Sequence, residues 1–331
     1  MSKLFRIGIV GCGEIGVRHA RTYAQMEGAK VAAVTDVNPA AAQVVAAETG
    51  AQVFASAGEL LARAGIDFLD VCTPPSFHRE AEVPALAKGL PVICEKPLAS
   101  SSADARAMVE AASKAGVPFM TAFGFRFHPG VRRVKTMVQE GALGRPLMYR
   151  NRFAWRKSGW EQTWRADRRV AGGGLFWDMG VHATDLFRFF WGDIRAIRGR
   201  LGIQAPVLKD RGDKAVEDAY VCAVESEGGI LGTLEGSFFL PVEESLLTVY
   251  GEEGTLTLGF FADEHLELRR PGAKEAEILS VRGPSMFKTE LGHWLAVLRG
   301  EEKLSVTGED GLRAVEIVER IWKEWEAETR R

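Results

Sequence analysis

The segment DMGVHATD sets Asp178, His182 and Asp185 at i, i+4 and i+7. On a regular helix that spacing brings three side chains onto one face. A carboxylate one turn from an imidazole suits a metal site, a proton relay or a polar stripe that anchors the helix. The choice depends on partners elsewhere in the chain.

A second constellation is GCGEIG, residues 11–16, lying between the apolar run FRIGIV and the helical segment VRHARTYAQ. Gly11 suits the tight turn, Gly13 the approach of backbone to a pyrophosphate, and Gly16 the packing of helix on strand. Together they aim a helix N-terminus at phosphates. The expected cofactor contacts here are Gly11, Gly13, Glu14, Ile15 and Gly16. Asp36 closes the next apolar run, VAAVTD, 20 residues beyond Gly16, where an acid binds the adenosine ribose hydroxyls. A 2'-phosphate would meet like charge at Asp36, and Val37 and Asn38 offer no cation. NAD is therefore expected in preference to NADP.

The elements that must position these residues fall into two halves. From Phe5 to about Phe123, strand-like runs (FRIGIV, KVAAVTD, DFLDVCTPP, LPVICEKP, VPFMTAFGF) alternate with alanine-rich helical segments that end in glycine. That alternation predicts an α/β domain, an N-terminal Rossmann doubly wound parallel sheet over residues 1–123. Beyond Gly124 come the helix GVRRVKTMVQEGALG, the arginine-rich stretch 150–169 and the DMGVHATD helix. Strands then follow one another with Gly- and Glu-rich turns, which predicts a C-terminal α+β domain over 124–331 with a large, mainly antiparallel open sheet. Thr307 and Asp310 are placed to cap a last helix whose apolar face runs through Leu312, Val315, Val318, Ile321 and Trp325. A chain of 331 residues that is 46% hydrophobic and 26% charged, with net charge -2, has no global pull towards nucleic acid or anionic membrane. It carries no apolar run long enough to span a bilayer and no leader-like start, so a cytoplasmic protein is expected. Cys12, Cys72, Cys94 and Cys222 show no paired metal-type spacing and are expected to be buried thiols.

Two further motifs sit at strand ends, where open parallel sheets bind ligands: TPPSFH, residues 73–78, and EKP, residues 95–97. With the glycine fingerprint, GGGLFWDMGVHATD and the closing VTGEDGLRAVEI, the chain resembles the glucose-fructose oxidoreductase, inositol dehydrogenase and rhizopine-catabolism family, Gfo/Idh/MocA, over nearly its whole length. The resemblance implies that Lys96, Asp178 and His182 form the catalytic set. It adds Thr73, Pro74, Pro75, His78, Glu95, Lys96 and Pro97 to the cofactor contacts. It also implies a homodimer or homotetramer formed through the C-terminal sheet.

A metal is not expected at the opening motif. Zinc sites commonly recruit two or more imidazole or thiolate ligands, whereas His19, His78, His128, His265 and His293 lie in separate segments, and Lys96 would repel a cation. Dehydrogenation of a secondary alcohol needs a base for the hydroxyl proton, and an imidazole titrates in the right range. His182 fits that role, Lys96 can stabilise the charge developing on the oxygen, and Asp178 can orient the imidazole or bind a neighbouring hydroxyl. Asp185 is expected to pair with an arginine or a backbone group. Residues 150–169 interleave arginines with Phe153, Trp155, Trp160 and Trp164, a mixture suited to sugar rings and anionic groups and equally to a solvated or subunit-contact strand. Candidate substrate contacts are Trp155, Trp164, Arg165, Arg126 and His128. The expected activity is an NAD-dependent oxidation or reduction at a CH–OH carbon of a small carbohydrate, inositol or polyol. The alternatives are an NAD-using glycosidase and a non-catalytic nucleotide-binding regulator.

Overall fold

The computed structural model describes residues 3–211, 214–261 and 265–329. The chain forms two compact units, Met1–Gly124 with Phe287–Val315, and Phe125–Met286 with Glu316–Arg331. The first unit ends at Gly124 and takes in Phe287–Val315 as well.

In the first unit, strands β1 (Phe5–Val10), β2 (Ala29–Thr35), β3 (Gln52–Val53), β4 (Phe68–Val71), β5 (Val92–Glu95) and β6 (Phe119–Ala122) form a parallel sheet in the order β3-β2-β1-β4-β5-β6. The connecting helices are α1 (Glu14–Tyr23), α2 (Pro39–Thr49), α3 (Ala57–Arg63), α4 (His78–Ala87) and α5 (Ser102–Ala115). Caps set their starts: Asn38 accepts from the amide of Ala40, Ser56 from Glu59 and Ser101 from Asp104. Gly50 and Gly116 end α2 and α5 in the left-handed region, at φ 71° and 65°. β3, two residues long, is too short to show a period. The returning segment supplies Trp294, whose ring meets Phe68 edge-on at 5.8 Å, and Gly308, whose Cα lies so close to the Phe119 ring that a Cβ would fall 2.3 Å from it. An amphipathic helix does not advertise which distant sheet it covers.

The second unit holds helices α6 (Pro129–Gln139), α7 (Arg168–Ala171) and α8 (Val181–Trp191) and strands β7 (Pro146–Ala154), β8 (Ile194–Gly202), β9 (Ala219–Ser226), β10 (Leu231–Ser237), β11 (Leu246–Gly251), β12 (Gly254–Gly259), β13 (Leu266–Arg269) and β14 (Glu277–Leu279). Their order is β14-β13-β12-β11-β7-β10-β9-β8, with β7 and β10 parallel and every other pair antiparallel. β7 is the strand hidden in the arginine-rich run. Tyr149, Asn151 and Phe153 point inward while Arg150 and Arg152 alternate outward, a period of two that the charges mask. Thr307 and Asp310 cap the closing helix, Gly308–Thr329, as expected. Its buried indole is Trp322 rather than Trp325, because Trp322 continues the stripe of Val315 and Val318 one turn on. Among the described residues no helix is long and apolar enough to cross a membrane.

Candidate active site

On the nucleotide side, Gly11 holds φ +96° and a Cβ there would fall 2.6 Å from the Cys72 carbonyl carbon. A Cβ on Gly16 would fall 1.9 Å from the Gly11 carbonyl oxygen. These two positions admit only glycine. Gly13 has nothing within 4 Å of such a Cβ and, among the described residues, begins α1 with no side-chain cap. An open glycine before uncapped N–H donors fits a dinucleotide pyrophosphate. Glu14 is exposed in that first turn and Ile15 is half-buried. Asp36 accepts from the amides of Cys12 and Asn38, both at 2.7 Å, so its carboxylate is fixed at the end of β2 beside a fully exposed Val37.

The other strand-end motifs divide by accessibility. Thr73, Pro74 and Lys96 are partly accessible, whereas Pro75, His78, Glu95 and Pro97 are buried. His78 does not face a cofactor: it starts α4 and turns its ring into the core between the carbonyl oxygens of Thr73 (2.7 Å) and Leu98 (3.0 Å). Burial holds its pKa below the usual imidazole range. Glu95 also turns inward, because Lys96 takes the outward position of the alternation at the end of β5. Its Oε2 accepts from the Lys96 amide at 3.1 Å and its Oε1 lies 3.5 Å from His19. Sequence separation concealed two gatherings of ligand-type atoms, His19 with Asp70 and Cys72, and His78 with Glu82 and Cys94.

In the second unit, the glycines of GGGLFW make room for what surrounds them. A Cβ on Gly173 would enter the Trp177 indole, and one on Gly174 would strike the Glu217 backbone. Glu217 is fully buried. It accepts from the amides of Gly174 (2.9 Å) and Phe176 (3.0 Å) and from the Trp322 indole (2.7 Å). No spacing rule pointed to it. Phe176–Gly180 is a π-helical turn that leads into α8. The single helical face expected for Asp178, His182 and Asp185 is thereby corrected: the wide turn shifts Asp178 off the α-helical period, while His182 and Asp185 share a face of α8. Such π turns recur at functional sites.

His182 is 6% exposed and meets the Phe125 ring edge-on at 4.8 Å. Asp178 lies 3.8 Å from Lys157 Nζ and 3.9 Å from Arg165 Nε, so one of the expected substrate residues, Arg165, does come to the motif. Trp155 packs on Phe261 at 5.4 Å, and Phe261 on Phe125 at 6.0 Å, an aromatic path that ends at His182. Trp164 is exposed beneath the Arg165 guanidinium.

Arg126 and His128 are corrections. Arg126 is buried and donates to both oxygens of Asp185, at 2.8 and 2.5 Å, which agrees with the structural role expected of Asp185. His128 caps α6 by accepting from the Gly130 amide, and burial pushes its pKa down to about 4. Most of the arginine run is likewise taken up by protein carboxylates. Arg150 and Arg152 pair with Glu235, Arg168 with Glu326 and Arg169 with Asp167.

A glycine cradle at the end of β1, a strand-end acid and a helix bearing aspartate and histidine define a nicotinamide-dinucleotide oxidoreductase of two units. The chain belongs to the GFO/IDH/MocA family: residues 5–123 match the oxidoreductase family's NAD-binding Rossmann fold and residues 131–257 match the GFO/IDH/MocA C-terminal domain. D-apiose dehydrogenase of Paraburkholderia graminis is 28% identical, over 97% of this chain and 87% of that one. Inositol 2-dehydrogenase of Acidothermus cellulolyticus is 30% identical, over 88% and 83%. The structure of an oxidoreductase from Agrobacterium radiobacter, in complex with NAD+, L-tartaric acid and magnesium, superposes with TM-score 0.86 at 25% identity, covering 98% of this chain and 97% of that one.

Proposed function

We propose that the protein is an NAD-dependent dehydrogenase or reductase acting at a secondary alcohol or ketone of a sugar, inositol or related polyol. The observation that carries this reading is His182 in the first turn of α8, walled by Phe125 and preceded one turn earlier by Asp178. The nature of the relatives, an apiose dehydrogenase and an inositol dehydrogenase, supports the substrate class. Bound NAD supplies the hydride acceptor. His182 takes the hydroxyl proton, and Lys96 donates to the oxygen on which charge develops. Asp178, with Lys157 and Arg165 beside it, holds a substrate hydroxyl or the His182 ring. The filled Lys96, Asp178 and His182 positions weigh against a non-catalytic regulator, and an NAD-using glycosidase would release product without net NADH.

The test is reduced-nicotinamide absorbance with NAD and with NADP against inositols, aldoses, uronic acids and sugar phosphates. A signal with NAD that vanishes in Lys96→Ala is expected. Product from a glycoside with no net NADH would replace the reading. A homo-oligomer formed through the second sheet is what the family membership suggests, and light scattering of the purified protein tests it. A cytoplasmic location accords with the reading and is tested by cell fractionation.

A further inference from the structure

We propose that His19 is a positioning residue for the catalytic lysine: an imidazolium clamped between Asp70 and Glu95 that fixes where the Lys96 main chain leaves β5. The inference rests on the reading of Lys96 given above.

His19 belongs to the buried stripe of α1, with Gly16, Ala20 and Tyr23, and its ring has no solvent exposure. Phe287 and Tyr23 pack edge-on against it at 6.0 and 6.5 Å. Its Nδ1 lies 3.0 Å from Asp70 Oδ2. A carboxylate can only accept, so Nδ1 carries a proton. Its Nε2 lies 3.5 Å from Glu95 Oε1 and, among the described residues, has no closer hydrogen-bond partner. A lone pair there would face a carboxylate oxygen in a dry interior, whereas a second N–H turns the contact into an ion pair. The contact therefore calls for one proton between Nε2 and Oε1, and imidazole, the stronger base of the two, holds it.

Other groups around the ring act in the same direction. The Cys72 thiol donates to Asp70 Oδ1 at 3.2 Å, and Glu290 adds a third acidic group beside the ring. Burial works against a charged ring, but Asp70, Glu95 and Glu290 outweigh it and raise the His19 pKa to about 9. A ring protonated on both nitrogens cannot ligate a metal, so the nearness of His19, Asp70 and Cys72 is better explained by the clamp. The clamp continues outward through Glu95, whose second oxygen accepts the Lys96 amide. Three segments far apart in sequence, the glycine-loop helix, the TPP strand and the EKP strand, thus meet at one buried cation.

The experiment combines nitrogen NMR of histidine-labelled holoenzyme with steady-state kinetics. In the wild type at neutral pH both His19 ring nitrogens should show the imidazolium shift, assigned by its loss in His19→Gln. A neutral-tautomer pattern would overturn the clamp. His19→Gln should lower kcat by about 10- to 100-fold through displacement of Lys96, with NADH affinity and polyol KM held within about threefold. The His19→Gln/Glu95→Gln double variant should be no slower than the slower single one, because both act along one path. Unchanged kcat in His19→Gln, beside an inactive Lys96→Ala, would refute the positioning role and leave the function standing. Normal turnover in Lys96→Ala would instead refute the lysine assignment, and the NMR pattern would still decide the clamp.

Discussion

The two units hold their reactive groups in opposite ways. In the first, Gly13 and Asp36 stand just beyond the ends of parallel strands, and each is fixed largely by main chain within a few residues or by the adjoining strand. In the second, Asp178 and His182 ride on one helical segment that is held from far away in sequence: Glu217 receives the amides of Gly174 and Phe176, Arg126 grips Asp185, and Lys157 and Arg165 flank Asp178. A strand-end site follows from the sheet that carries it. A helix-borne site needs separate anchors, and each anchor is a point at which it can fail.

The comparison breaks most visibly at the chemistry. His182→Ala should reduce kcat by about 10²- to 10⁴-fold with NADH affinity retained, as steady-state kinetics and fluorescence titration would show. Equal losses of turnover and NADH affinity would place His182 among the nucleotide contacts instead. Next in size is Arg126→Leu, which removes the guanidinium paired with both oxygens of buried Asp185 and should cost about 3–5 kcal/mol of stability. Urea unfolding measures it, and the Arg126→Leu/Asp185→Leu double variant should recover part of the loss.

Glu217→Gln should cost about 1–3 kcal/mol by disturbing a buried hydrogen-bonded carboxyl, and it sharpens the contrast through pH. Burial pushes Glu217 up to about 7, against the N–H donors that hold it down. A carboxyl raised on folding binds its proton more tightly folded than unfolded. Its contribution is therefore complete below its ordinary value of 4.5 and is lost as pH rises through about 7. Unfolding curves at a series of pH values should show that slope in the wild type and a flatter one in Glu217→Gln. The smallest effect belongs to the nucleotide side. Asp36→Asn with Val37→Arg should move the NADPH-to-NADH affinity ratio upward by about tenfold, or about 1.4 kcal/mol, and an unchanged ratio would remove Asp36 from ribose recognition.

The same difference explains what the sequence could tell. The Rossmann order, the glycine loop and Asp36 were legible because their signals are local: a turn, a cap, a strand end. Lys96 was proposed from the family resemblance of EKP, and Asp178 from its place in DMGVHATD. Glu95 and His78 were assigned to the wrong side of the main chain, since a one-residue alternation decides whether a strand-end side chain meets ligand or core. Arg126 looked like a ligand fork because its carboxylate partner lies 59 residues away. Glu217 left no trace at all, for a single glutamate ahead of a strand has no period. β7 was obscured by its arginines, whose Glu235 partner again comes from a distant strand.

The placement of β7 has a consequence for how the protein is made. Its neighbours in the sheet are β10 and β11, so a chain emerging from the ribosome presents β7 with both edges unpaired until residues 231–251 have followed it. The segment 176–191, with Asp178 and His182, is synthesised within that interval. The strand awaiting its partners carries Arg150 and Arg152, and charge on an unpaired strand discourages association with other chains. Glu235 then arrives on β10 to pair with both arginines, so the charges that protect the nascent strand become part of the finished sheet.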